Sequence, residues 1–409
     1  MKALPLPDFI TSRTIRDVHG LDMHILEAGV PTLQLSDNVV SGPLPEKTLQ
    51  PYSGERPLLL LLHGFPELYF IAQFPAAHTL IAVIVRAYSF RKVIEPLASS
   101  GYHVVAPDQR GYGRTAGWDV SNGASFGLLN LVADIVALVL ALGHRTVACV
   151  VGHDFGSLVA GYCALVRPDM FRSVILMSAP FPGPPSFSPT QVPSPSVVAA
   201  ELAALDPPRK HYQHYYASPI SQANEHMLHA PQGLSAFLRA YYHIKSADWS
   251  LNDPRPLPSW SGAILAEMPP YYIMKADETM AEAVASHDPG TESSWLSNTD
   301  LEVYTSEFAR TTFQGGLNWY QFGLSGELRV FSQKRITVPS LFIAGEKDWG
   351  MYQAPGGIAR MLEVCERMGS EGCCVVKGAG HWVQQERPED VVRLVTQFLA
   401  KTRVSDDTI

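Results

Sequence analysis

Charge is scarce in this 409-residue chain: Asp, Glu, Lys and Arg make up only 17% of it, against 46% hydrophobic residues. Such a chain buries much of its length, and it is long enough for a large core and two lobes. Basic charge is the scarcer sign, with 31 Lys and Arg against 39 Asp and Glu and a net charge of -8. No basic cluster occurs, which argues against a nucleic-acid partner. Cysteine is rare as well. Cys149, Cys163, Cys365, Cys373 and Cys374 show no metal-ligand spacing, and their odd number fits a reducing compartment. Cys149 and Cys163 read as small core residues. Long apolar runs are missing too. Residues 1–5 lack the apolar segment of a signal peptide, and residues 405–409 carry no retention tag. An apolar tract within residues 70–86 is too short and too broken by Pro75 and His78 to span a membrane. A cytoplasmic protein with no membrane span and no metal is expected.

What the chain does contain is an alternation of strands and helices. Residues 13–27 suggest a hairpin turning at His19-Gly20, and residues 30–56 read as a polar surface loop. Residues 58–62 are a solid apolar run, the mark of a parallel strand covered on both faces. Residues 103–106, 146–151, 173–177, 340–344 and 373–376 read as further strands. Helices are expected over residues 90–100, 130–142, 157–166 and 388–399. This order predicts an α/β protein with a mostly parallel, doubly wound sheet. Residues 180–208, crowded with Pro and Ser, read as a connector. Residues 206–331 hold nine of the sixteen tyrosines and four of the seven tryptophans. They read as a mainly helical lobe inserted over the ligand-binding edge of the sheet. The expected division is a core from residues 1–180 and 334–409, interrupted by a cap at residues 181–333.

One pentapeptide narrows the chemistry. Gly152-His153-Asp154-Phe155-Gly156 lies between an expected strand and an expected helix. A nucleophile flanked by small residues in that place is the nucleophile elbow of α/β-hydrolases, and that fold is expected here. The nucleophile position holds Asp154 where serine would serve acyl transfer. A carboxylate attacking an acyl carbon forms a strained anhydride. A carboxylate attacking an sp3 carbon forms an alkyl ester that activated water can cleave. The implied substrate is an epoxide or an alkyl halide.

The same fold orders its other parts as nucleophile, acid, histidine. Asp348 follows one expected strand, and His381 follows the last. Asp154, Asp348 and His381 are therefore the expected triad, with Glu346 the competing acid. His153 reads as structural. The backbone N–H groups of Phe65 and Phe155 are the expected oxyanion donors. Asp108 and Arg110 read as an internal ion pair bracing a turn.

His63-Gly64-Phe65-Pro66-Glu67, the turn at residues 108–113, His153-Asp154-Phe155-Gly156 and Gly380-His381-Trp382 together resemble soluble epoxide hydrolases. The resemblance covers nearly the whole chain, but these motifs are shared with haloalkane and haloacetate dehalogenases. The insert is more specific. In the family two cap tyrosines hold and protonate the epoxide oxygen. One lies in a Tyr-Gln step, matching Tyr212-Gln213; the other ends an Asn-Trp-Tyr step, matching Asn318-Trp319-Tyr320. Tyr215 and Tyr216 compete for the role of Tyr212. The resemblance also implies Gln213, Trp319 and Trp382 as substrate-binding residues, and no cofactor. A phenol suits an alkoxide leaving group, because it is protonated at neutral pH yet able to donate. A halide needs no proton, and Phe155 stands where haloalkane dehalogenases carry a halide-binding tryptophan.

The chain departs from the family pattern at residues 69–86, which separate the residue 63–67 motif from a matching Ser89-Phe90-Arg91 step. The spacing fits an accident such as a retained intron; the alternative is a true lid helix. The sequence thus predicts hydrolysis of a small-molecule epoxide to a vicinal diol. The alternatives are a dehalogenase with the same triad and a non-catalytic ligand-binding protein of the same fold.

Overall fold

The computed structural model describes residues 6–30, 56–66, 87–187, 193–323, 326–369 and 371–406. The tract at residues 69–86 and most of the expected surface loop lie outside them. The strands, in chain order, are β1 (Thr11–Val18), β2 (Leu21–Ala28), β3 (Leu58–Leu62), β4 (His103–Pro107), β5 (Cys149–His153), β6 (Val174–Met177), β7 (Arg209–His211), β8 (Ile273–Lys275), β9 (Ile336–Gly345), β10 (Cys365–Arg367) and β11 (Cys373–Val376).

Nine of these strands form one sheet in the order β1-β2-β4-β3-β5-β6-β9-β10, with β11 also on β9. Only the β1–β2 and β2–β4 pairings are antiparallel. The mostly parallel, doubly wound sheet of an α/β-hydrolase is what the alternating pattern required. The five leucines of β3 show why its run is unbroken. Leu58, Leu60 and Leu62 enter the core on one face with Val105, Val150 and Leu176. Leu59 and Leu61 enter the core on the other, with Val104, Ala106, Val151 and Ile175. Helices Leu128–Ala141 and Phe155–Val166 cover the first face, and helices Arg91–Ser99 and Pro388–Asp406 cover the second. With both faces buried, polar alternation disappears.

Between β6 and β9 the chain leaves the sheet for a mainly helical segment stapled by the small antiparallel pair β7–β8. The supposed connector at residues 180–208 holds a helix, Pro195–Ala203. Ser194 caps it by accepting from the Val197 N–H, and Pro195 stands in its first turn, where a missing N–H costs nothing. A proline- and serine-rich composition concealed a helix start. No described helix is long and apolar enough to cross a membrane, and all five cysteines are free.

Candidate active site

Asp154 follows β5 directly and precedes helix Phe155–Val166 with φ 54° and ψ -120°. A left-handed φ at a non-glycine residue is strained, and such strain marks a turn held by its surroundings. The surroundings are tight. A Cβ on Gly64 would lie 2.4 Å from Asp154 Oδ1 and 2.7 Å from the Phe155 nitrogen, so only glycine fits there. This close approach lets the Phe65 N–H donate to Asp154 Oδ1 at 2.9 Å. Phe155 opens its helix, so its N–H is one of the first-turn donors that the helix itself cannot satisfy.

The other carboxylate oxygen, Oδ2, faces His381 Nε2 at 3.4 Å. On the far side of the ring, Nδ1–H donates to Asp348 Oδ1 at 3.0 Å, and the same oxygen accepts from the Gly350 N–H at 2.7 Å. With its proton on Nδ1, a neutral His381 turns a basic Nε2 toward Asp154. The His381 backbone is pinned on both sides. Its N–H donates to the Lys245 carbonyl, and its own carbonyl accepts from His153 Nε2 at 2.7 Å and from Ser178 Oγ at 3.0 Å. Burial alone would raise the Asp154 carboxyl pKa. The hydrogen bond and charge of His381, with the charges of Lys245 and His153, outweigh burial and hold it well below the usual carboxylate range. Asp348 is likewise held low by His381 against its burial.

Aromatic rings roof the carboxylate. Tyr320 lies 5.5 Å from Phe65 and 5.5 Å from Phe155, ring centre to ring centre, and Tyr212 lies 6.0 Å from Tyr320. The Tyr212 hydroxyl donates to Gln353 Oε1 at 3.2 Å. Both phenols are pushed well above their ordinary pKa, first by burial. For Tyr212 the negative charge of Asp154 adds to this while hydrogen bonds with Gln213 and Tyr320 oppose it; for Tyr320 the influence of Tyr212 and then of Asp154 adds to it.

A family model described as alpha/beta hydrolase fold matches residues 57–219. Epoxide hydrolase B of Mycobacterium tuberculosis is 32% identical over 365 residues, covering 86% of this chain and 94% of the relative. Epoxide hydrolase A of the same organism is 30% identical over 400 residues, covering 94% and 95%. This chain is a member of the epoxide hydrolase family of α/β-hydrolases. Solved epoxide hydrolases agree in fold. One from an endophytic Streptomyces has a TM-score of 0.69 at 27% identity, covering 97% of each chain. Potato epoxide hydrolase I has a TM-score of 0.65 at 27% identity, covering 96% of this chain and 99% of that one.

Within this epoxide hydrolase fold, Asp154, Asp348, His381, Phe65, Phe155, Tyr212 and Tyr320 come together. Glu346 does not join them; it is exposed, and its Oε2 accepts from the Gly378 N–H. Tyr215 turns its hydroxyl to His226, whereas Tyr216 packs on Phe65 and Tyr320. Three further residues were expected to bind substrate. Gln213 is exposed, and its amide donates to the Tyr212 hydroxyl at 3.2 Å. Trp319 is fully buried with its indole N–H on the Arg110 carbonyl. Trp382 is fully buried with its N–H on the Tyr242 carbonyl. Each indole is a wall whose donor already has a partner. Asp108 and Arg110 also separate: Asp108 accepts from His24, and the Arg110 guanidinium forks onto Asp134 of helix Leu128–Ala141. A helix brought over the turn supplies a better bidentate partner than the adjacent carboxylate.

Two residues escaped the sequence reading, Lys245 and Glu386. Glu386 accepts from the N–H groups of Ala247, Gly380 and Trp382, tying the insert to the His381 loop. Burial pushes its carboxyl up to about 7, against those three donors. The folded state therefore holds a proton that the unfolded chain has released. Its contribution to stability declines as pH rises from about 4.5 to about 7. Glu386→Gln is expected to flatten that decline. It also sets an NH2 group against backbone donors, at a cost of about 1–3 kcal/mol. Denaturant unfolding at about pH 5 and about pH 8 checks both effects, and an unchanged slope in the variant refutes the assignment.

Proposed function

We propose that this protein hydrolyses an epoxide to a vicinal diol through a covalent ester on Asp154. The observation that carries the reading is an elbow aspartate facing a His–Asp pair on one side and the paired phenols of Tyr212 and Tyr320 on the other. Asp154 Oδ1 is held by the Phe65 N–H, so Oδ2 is the oxygen free to attack the less hindered ring carbon. That carbon–oxygen bond breaks as the ester bond forms, and Tyr212 and Tyr320 hold the departing alkoxide and give it a proton. Alkylation also cancels the Asp154 charge, which is one of the influences that raise both phenols. The acids thus strengthen as the proton is needed.

In the second step His381 Nε2, oriented by Asp348, takes a proton from water, and the hydroxide adds to the ester carbonyl. The Phe65 and Phe155 N–H groups hold the charge that gathers on Oδ1. The bond from the carbonyl carbon to Oδ2 then breaks, His381 passes its proton to the leaving oxygen, the proton of the new Asp154 carboxyl returns to the phenolate, and the diol is released. The residue 181–333 insert acts as the cap that brings the tyrosines over the core, with the core at residues 1–180 and 334–409. No metal or organic cofactor enters these steps. The free cysteines support a cytoplasmic location.

Dehalogenation by the same triad fits the site less well. A leaving halide needs N–H donors, and the indoles of Trp319 and Trp382 already donate to backbone carbonyls while Phe155 has no donor side chain. The test is turnover of a panel of epoxides and haloalkanes with diol and halide measured separately. Diol from epoxides without halide release is expected. Halide release with no diol refutes the reading.

A further inference from the structure

Lys245 ends helix Leu234–Lys245 and is only 3% exposed. Among the described residues its ammonium has no hydrogen-bond or ion-pair partner. It lies instead over four aromatic rings: Tyr241 at 5.4 Å, Tyr271 at 5.9 Å, Tyr272 at 5.5 Å and Trp382 at 5.4 Å from the ring centres. Each ring presents its negative face to a cation. Rings replace only part of the water that a buried ammonium loses, so an unpaired buried lysine is expensive to keep. A methionine of similar length fills such a cage without that penalty. The cation needs a reason to be there.

The reason lies next to it. Asp154 and Asp348 place two buried carboxylates on one imidazole, and that imidazole must be neutral to act as a base. Among the influences on the Asp154 carboxyl, the charge of Lys245 comes after burial and His381 and helps to hold it low. Its backbone meets the same site: the Lys245 carbonyl accepts the His381 N–H at 2.9 Å. Gly380 permits that contact, because a Cβ there would lie 2.5 Å from the Ser246 carbonyl carbon.

We propose that Lys245 is a positioning residue of the active site, a fixed and unpaired ammonium in an aromatic cage. It keeps the nucleophilic carboxylate charged inside an apolar interior, and its carbonyl docks the loop that bears the water-activating histidine. The inference rests on the epoxide-opening reading. The ammonium favours every anionic stage of that reaction: the resting carboxylate, the phenolate left after protonation, and the oxyanion on Asp154.

The test is the acid limb of kcat/KM against pH, with styrene oxide as the probe, for the unaltered chain, Lys245→Met and Lys245→Arg. The groups facing Asp154 and Lys245 are His381, His153 and Asp348 from the core, Glu386 beside the His381 loop, and Tyr212, Tyr241, Tyr271, Tyr272 and Tyr320 from the insert. Removing a cation favours both the neutral carboxyl of Asp154 and the charged imidazolium of His381, so from either group the limb moves to higher pH. In Lys245→Met a shift of about one pH unit is expected, about tenfold in rate at a fixed pH on that limb. Lys245→Arg keeps a charge that also stacks on rings, and its limb stays near that of the unaltered chain. The Met variant should unfold at the same or a higher temperature, because it removes an unpaired buried charge. A purely structural lysine gives the opposite pair of results, a lower melting temperature with an unmoved limb, and that outcome overturns the proposal. So does a Met variant that fails to fold while Lys245→Arg folds. An unaltered chain that opens no epoxide sinks both this inference and the reading beneath it; an active chain with an unmoved limb in Lys245→Met sinks this inference alone.

Discussion

Asp154→Ala is expected to abolish diol formation, while His381→Gln is expected to halt the reaction with substrate attached to Asp154. The two steps draw on different groups. Ester formation needs the carboxylate and the phenols; ester cleavage needs a base for water. Asp154 Oδ2 faces His381 Nε2 at 3.4 Å, so the base is placed to serve the second step without taking part in the first. Removing the nucleophile should lower turnover on the order of 10⁶-fold, the scale seen when the central member of a triad is lost. The glutamine variant should show a burst of one equivalent of epoxide consumed, with little diol. Mass spectrometry of its peptides should find the adduct on Asp154. Isotope labelling gives an independent check. Because the bond broken in the second step joins the ester carbonyl to Oδ2, a single turnover in ¹⁸O-water should leave the label in Asp154 and release unlabelled diol. Label appearing in the first-turnover diol would mean direct attack by water, and the ester mechanism would be wrong.

The second large effect belongs to the phenols. Tyr212→Phe and Tyr320→Phe should each slow alkylation by about 10²–10⁴-fold, and the double variant should nearly stop it. The Tyr320 ring, half-buried, packs on Phe65 and Phe155, and the buried Tyr212 ring packs on Tyr216 and Tyr320, so removing a hydroxyl leaves the packing intact. The loss should fall on the first step. Trapping experiments in a His381→Gln background would therefore show slow adduct growth rather than none. Tyr212 carries one further expectation. Its hydroxyl is held between Gln353 and Gln213, so Gln353 should tune its reach more than its acidity. Equal alkylation rates in the double Tyr→Phe variant and the parent would remove the tyrosines from the mechanism.

The candidate site was legible wherever a short stretch of chain answers to a local constraint. The elbow at Asp154 is such a place, because the close approach of β3 and its loop admits only glycine beside a strained residue. The five leucines of β3 are another, since a strand covered on both faces has no position for a polar side chain. Strand endings then located Asp348 and His381, which a parallel sheet delivers to one edge. Local reading failed where composition misled, as in the capped helix Pro195–Ala203. It also failed where a residue's partner comes from far along the chain. Arg110 takes Asp134 from a helix, the indoles of Trp319 and Trp382 take carbonyls from turns and from the insert, and Glu386 gathers three N–H groups from two segments. Lys245 is the clearest case. In the sequence it is one basic residue at a helix end, with the solvated fate of most lysines. Only the closing of the insert onto the His381 loop buries it and surrounds it with rings. Spacing and local sterics determine where a nucleophile can stand; which charges are desolvated around it depends on long-range packing that no short stretch of sequence contains.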